Sequence, residues 1–228
     1  MTHQHATDAH HHAPGHDDAA VLPAQEYWEG FYGERDQVWS GRANALMVRE
    51  VEGMTPGTAL DLGCAEGGDA VWLAQQGWQV TAVDVSDTAL RRAAVHADDA
   101  GVAASIEWQQ HDLGETFPSG TYDLVSAAFF HSPPEAVLDR TTVLRRAADA
   151  VAPGGTLLIV GHASGPSWMG PHPMFDLLPT TARLLDDLAL DPQVWTVDLE
   201  DLVTTDHTGP EGQTGTRADN VLRVRRTA

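Results

Sequence analysis

The sequence predicts an α/β fold, a seven-stranded and mostly parallel sheet with helices on both faces and an antiparallel hairpin at its C-terminal edge. Three observations carry this. From Tyr27 onward, short β-branched apolar runs alternate with helical stretches. Between Thr58 and Asp84, a strand, a glycine-rich loop, a helix and a second strand follow one another directly. The last two strand-like runs, Trp195 to Thr204 and Asn220 to Arg226, are too close for a helical crossover and so pair antiparallel.

Thr58 to Leu62 reads as the first strand and runs into Gly63-Cys64-Ala65-Glu66-Gly67-Gly68. A helix from about Asp69 to Gln76 turns Val71, Trp72 and Leu73 towards the sheet, and Gly77 stops it. Trp78 to Val83 is the second strand, ending at Asp84; Ser86 then caps a helix that reaches Ala100 and closes at Gly101. Further strands fall at Ser105 to Gln110 and Tyr122 to Ala128. Val137, Thr141, Leu144, Ala148 and Val151 recur at intervals of 4, 3, 4 and 3, which predicts one helical face before Pro153-Gly154-Gly155 breaks it. Thr156 to Val160 is the fifth strand, and Pro173 to Leu190 holds a helix beginning near Met174 and interrupted by Pro179.

Ahead of this body, residues 1–24 carry His3, His5, His10, His11, His12 and His16 among small and polar residues, half of the 12 histidines of the chain. Such a composition buries too little to fold, so a disordered tail is expected, followed by one domain over residues 25–228. Scattered imidazoles could bind metal weakly, but no defined metal site is predicted.

The 13 basic residues are all Arg, which excludes a Walker A loop, a Schiff-base lysine and a kinase-type phosphate lysine. A net charge of −20 repels nucleic acid and anionic lipid, and no run is long and apolar enough to span a bilayer. One cysteine, Cys64, and no charged-then-apolar opening segment suit a cytoplasmic protein; a monomer or homodimer is expected.

In an open parallel sheet the ligand sits beyond the carboxyl ends of the strands. Those ends carry Asp61 to Gly68, Asp84, Asp112, Phe129 to His131, and Gly161-His162. Asp84 lies 21 residues beyond Gly63, the spacing at which a carboxylate meets both hydroxyls of a ribose. Asp61, Glu66 and Asp69 make the loop acidic, unfavourable for a pyrophosphate but favourable for the ammonium and sulfonium of S-adenosylmethionine.

With these residues in view, the chain resembles the class I S-adenosylmethionine-dependent methyltransferases, which have a Rossmann-like sheet. Leu60-Asp61-Leu62-Gly63-Cys64-Ala65-Glu66-Gly67 is similar to that family's acid-x-Gly-x-Gly-x-Gly motif, with Ala65 in place of the middle glycine. Val83-Asp84, His111-Asp112-Leu113 and the turn Ala152 to Leu158 resemble its ribose acid, its adenine-side acid and its turn into the fifth strand. The Tyr27-Trp28 to Asn44 segment resembles small-molecule members of the tellurite-resistance and thiopurine methyltransferase kind, where it closes over the cofactor and acceptor.

The resemblance implies cofactor contacts at Asp61, Gly63, Cys64, Ala65, Gly67, Asp84, Val85, Asp112, Leu113 and Phe129. Trp39, Arg42, Phe130 and Trp168 are candidates for an acceptor pocket, Arg42 as a partner for a carboxylate. His131 and His162 follow strands on the same side and are candidate general bases. The expected function is methyl transfer to a small S, O, N or metalloid acceptor. The rivals are a nicotinamide-dependent oxidoreductase on a similar sheet and a non-catalytic metal binder that works through its tail.

Overall fold

The computed structural model describes residues 21–131, 133, 136, 138–172 and 175–227. The six tail histidines, Met174 and Val137 therefore lie outside the described residues. The helices are α1 (Ala24–Gly33), α2 (Ala45–Val51), α3 (Gly68–Gln75), α4 (Asp87–Asp99), α5 (Arg140–Asp149) and α6 (Thr181–Leu188). The strands are β1 (Thr58–Leu62), β2 (Gln79–Asp84), β3 (Ile106–Gln110), β4 (Tyr122–Ala128), β5 (Val151–His162), β6 (Trp195–Thr208) and β7 (Thr214–Arg226). They form one sheet in the order β3-β2-β1-β4-β5-β7-β6. β1 to β5 are parallel, whereas β7 runs antiparallel to both β5 and β6, as the short final connection requires.

Alternation along the central strands divides the core in two. Leu60, Leu62, Leu157 and Ile159 face α5 and α6, while Ala59, Leu158 and Val160 face the layer of α2, α3 and α4. Strand order reverses between β1 and β4, so the carboxyl ends of these two strands open a crevice.

Several boundaries differ from expectation. The body begins before residue 25: Leu22 bridges to Ala136, and Ala24 is buried at the start of α1. The buried face of α5 is Val143, Leu144, Ala147 and Ala148, because Val151 already belongs to β5 and pairs with Tyr122. Pro153 to Gly155 do not precede the fifth strand but bulge within it, between the Tyr122 and Leu124 pairings. α6 starts after Pro179, where the Thr180 side chain accepts the Arg183 amide at 3.1 Å. The closing hairpin runs well beyond the predicted ends, with pairing from Trp195–Arg226 up to Thr208–Thr214.

Candidate active site

The loop after β1 turns the chain through left-handed backbone at Gly63, Ala65 and Gly67, with φ of 68°, 51° and 83°. Gly67 also meets a steric limit, since a Cβ there would sit 2.8 Å from the Ala93 methyl and 2.9 Å from the Trp108 ring. Loop amides are spent on fixing this shape. Cys64 donates to the Val83 carbonyl at 2.9 Å, Gly67 to the Cys64 carbonyl at 2.9 Å, and Ala65 to the Asp84 carboxylate at 2.9 Å. The other Asp84 oxygen accepts the Ser86 amide at 2.9 Å. Two of the roughly four lone-pair positions of that carboxylate are thus used, leaving capacity for hydroxyls.

Three carboxylates crowd this loop. Asp61 is 2% exposed, and its Oδ2 has no hydrogen-bond partner among the described residues. Burial, then Asp69 and Asp84, push the Asp61 carboxyl well above the usual range. Burial likewise raises Asp69 to about 6, although it accepts the Asn44 amide at 2.6 Å, and raises Asp84 to about 6. A buried carboxylate with one oxygen unpartnered and no cation beside it among the described residues, helped only by the Ala70 amide and next to two other carboxylates, is a site short of positive charge. The ammonium and sulfonium of S-adenosylmethionine fit that shortage, and the spare capacity of Asp84 fits a ribose.

Glu66 has a different part from the one its place in the loop suggested. It is 1% exposed, pairs with Arg92 at 2.9 Å, and accepts the amides of Val38 at 3.1 Å and Trp39 at 2.8 Å. Its charge is therefore matched within the protein, and it ties the segment between α1 and α2 onto the glycine loop. Glu29 on α1 likewise ties that helix to the N-terminus of α4, accepting from the Ser86 hydroxyl and from the amide and hydroxyl of Thr88. The sequence reading missed α1 and α2 as helices. Trp28, Phe31 and Tyr32 at helical spacing, and Asn44 ahead of Leu46 and Met47, were the available signals.

The remaining predicted residues fall into two groups. Val85 and Asp112 stand half-buried just past β2 and β3, with Asp112 accepting the Gly114 amide at 3.0 Å. Phe129, at φ 52°, directly follows β4 with its ring centroid 4.6 Å from that of His162, and the Phe130 ring covers Gly63. Trp39 is held by its indole N–H donating to the Tyr32 hydroxyl at 3.2 Å. Cys64 is buried, and burial with nearby Asp84 pushes its thiol up, which leaves it a packing residue.

Four expectations need correction. The Leu113 side chain lies in the core and its carbonyl accepts from Arg146 at 3.2 Å, so only its backbone amide remains for a ligand. Arg42 is exposed and reaches the outer side of α3, bordering a hollow with Gly68, Val71 and Gln75. Trp168 stacks on His207, 5.3 Å between centroids, and packs against the β6–β7 hairpin at Gly215. His131 is pushed down to about 3 by burial, then Arg140 and His162, so it is neutral and a poor proton acceptor. His162 stands otherwise: its Nδ1 lies 2.8 Å from a buried Asp219 oxygen.

Comparison with known proteins finds methyltransferases. Residues 59–155 match the methyltransferase domain family. An uncharacterized methyltransferase of Mycobacterium tuberculosis is 36% identical over 131 residues, 55% of this chain and 61% of that protein. Two solved structures share the fold. TehB from Haemophilus influenzae has a TM-score of 0.63 at 17% identity, over 90% of this chain and 67% of that one. The N-methyltransferase NodS from Bradyrhizobium japonicum, solved with S-adenosylhomocysteine, has a TM-score of 0.60 at 18% identity, over 90% of this chain and 100% of that one. The chain spans about half the length of the curated relatives it matches. The sheet is Rossmann-like, residues 59–155 match a methyltransferase domain, and the curated relatives that the chain matches are named as methyltransferases.

Proposed function

We propose that this chain is a cytoplasmic S-adenosylmethionine-dependent methyltransferase, with the chain from Leu22 onward as the catalytic domain, acting on a small-molecule acceptor. Asp61 carries the reading. Its unpartnered oxygen, 2% exposed and flanked by Asp69 and Asp84, calls for a cation at the end of β1. A pyrophosphate there would meet three buried carboxylates, which disfavours the nicotinamide alternative.

In this reading Asp61 and Asp69 hold the ammonium end of the donor, Asp84 the ribose, and Asp112 the adenine amine. Val85 and Phe129 give apolar walls, and Gly63, Ala65 and Gly67 give close backbone approach. The bound donor supplies a methyl group already activated by its sulfonium. What remains for the chain is alignment and exclusion of water, by Trp39, Phe129 and Phe130. No helix among the described residues is long and apolar enough to cross a membrane. The −20 charge opposes a nucleic acid partner, and we take the protein to work as a monomer or homodimer.

The test is calorimetric titration with S-adenosylmethionine, S-adenosylhomocysteine and NAD, with Asp84→Ala as control. Binding of the first two, lost in the variant, is expected. A folded protein that binds neither overturns the reading.

A further inference from the structure

Two histidines stack at the carboxyl end of β5, and their surroundings are opposite. The rings of His131 and His162 are 5.3 Å apart and 11° from parallel. His131 packs over Gly161, faces Arg140, and its Nε2 takes the His162 amide at 3.5 Å. Arg140 is in turn fixed by donating to the Phe130 carbonyl at 2.8 Å. His162 is set against Asp219 on β7, whose carboxylate is 4% exposed, lies 2.8 Å from Nδ1 and also faces Arg217 at 3.4 Å. The register places His162 opposite Asp219, so the contact is built into the antiparallel pairing of β5 and β7.

We propose that Asp219 positions His162 as the base of this site, and hence that the acceptor is a protic oxygen or nitrogen nucleophile, of the phenol or hydroxyl kind, rather than a soft thiolate or metalloid anion. This rests on the methyltransferase reading above. With Nδ1–H donated to Asp219, the lone pair of His162 is on Nε2. Phe129 joins this ring to the crevice: its centroid is 4.6 Å from that of His162, and its neighbour Phe130 covers Gly63 in the donor loop. β5 is two strands from β1, about 10 Å at ordinary strand spacing, which leaves room for one small acceptor. In the step, the acceptor oxygen attacks the donor methyl carbon as its proton passes to His162 Nε2. A C–O bond forms, the C–S bond breaks with its electron pair going to sulfur, and His162 later returns the proton to solvent. The positive charge that develops on His162 meets Asp219, while burial, with Arg140 on the far side of the stack, keeps His131 neutral. A thiolate would need no such base, and the dyad would be idle.

The experiment uses the full chain, a series of ring-substituted phenols and the matching thiophenols, with donor binding measured separately by calorimetry. Phenol methylation is expected, falling about 100-fold or more in His162→Ala and rising again with the more acidic phenols. Asp219→Asn should lower kcat at little change in KM and shift the pH profile, and donor affinity should be unchanged in both variants. Nitrogen-15 NMR of the resting protein should show His162 protonated on Nδ1 and this preference lost in Asp219→Asn. Methylation of thiophenols alone or of neither set with the donor bound, a fast His162→Ala enzyme, or an Nε2-protonated His162 each overturns the inference. Failure of the donor itself to bind is instead the failure of the parent reading.

Discussion

The amide of Ala65 donates to the Asp84 carboxylate across 2.9 Å, so the acid at the end of β2 holds the shape of the loop that leaves β1. Asp84 thus acts twice, as the brace of the glycine loop and as the acid placed for the ribose. Asp84→Asn should separate these parts only partly. One oxygen survives as an acceptor, but the other amide of the Ala65 and Ser86 pair faces an NH2 group, at a cost of about 1–3 kcal/mol. We expect a lower unfolding midpoint and donor affinity reduced at least about tenfold, since a hydrogen bond to a charged group is worth about 1.5–3 kcal/mol. Thermal unfolding and calorimetry measure both. Unchanged donor affinity would remove Asp84 from the site.

Donor binding should depend on pH in a fixed direction. Asp69 and Asp84 titrate at about 6 in the fold, against 3.8 for the free side chain, so between these values the native state holds more protons than the unfolded chain. Stability from these groups therefore falls as pH rises through that window, the unfolded chain being the first to ionise. A bound cation reverses the preference by favouring the ionised carboxylates. Donor affinity should rise as pH passes upward through about 6, up to about tenfold per pH unit for each proton released, as Asp69 and Asp84 ionise. Titrations in buffers of differing ionisation heat count the protons. Affinity that is flat or falls across this range contradicts the buried-carboxylate account.

How much of this was visible in the residues alone depends on whether the signal was local. The β1-loop-α3-β2 unit was legible because strand, glycine turn and cap are adjacent in sequence, and Ser86 caps α4 through the Ala89 amide as its position suggested. Glu66 was misread for the opposite reason. An acid in an acidic loop looks available to a cation, and nothing local reveals Arg92, 26 residues on, or the Val38 and Trp39 amides, more than 25 residues back. His162 was singled out, but its partner Asp219 arrives through the β5–β7 register, 57 residues away. The polar pair Asp219-Asn220, placed midway along β7 and directly ahead of the apolar Val221-Leu222, was the one trace of it.

Glu66 supports the next expectation. Its carboxylate is almost fully buried and its partner Arg92 mostly so, with side-chain exposures of 1% and 22%. Glu66→Ala should leave Nη1 of Arg92 and two backbone amides without an acceptor, while Nη2 keeps the Tyr32 and Arg35 carbonyls, costing about 3 kcal/mol and lowering the unfolding midpoint by roughly 6–12 °C for a chain of this size. The effect should be regional. Hydrogen exchange of the Val38 and Trp39 amides should accelerate, with β1 and β4 amides changing only as global stability does. Equal acceleration across the sheet would mean that Glu66 does not act by tethering this segment.

Ala65 is the one position where the glycine loop departs from the glycine pattern, and its backbone registers the difference. At φ 51° it occupies the left-handed region that costs a residue with a Cβ roughly 1–2 kcal/mol. Glycine there removes that cost but widens the unfolded ensemble, a loss of about 0.4–1 kcal/mol. Ala65→Gly should therefore be neutral to stabilising by about 1 kcal/mol, whereas most substitutions in a packed loop destabilise. The Ala65 amide is retained, so its bond to Asp84 persists and donor affinity should stay within a few-fold of the parent. Denaturant unfolding and calorimetry on one preparation decide it. A loss of stability beyond about 1 kcal/mol would mean that the Ala65 methyl packs against something worth more than the strain it incurs.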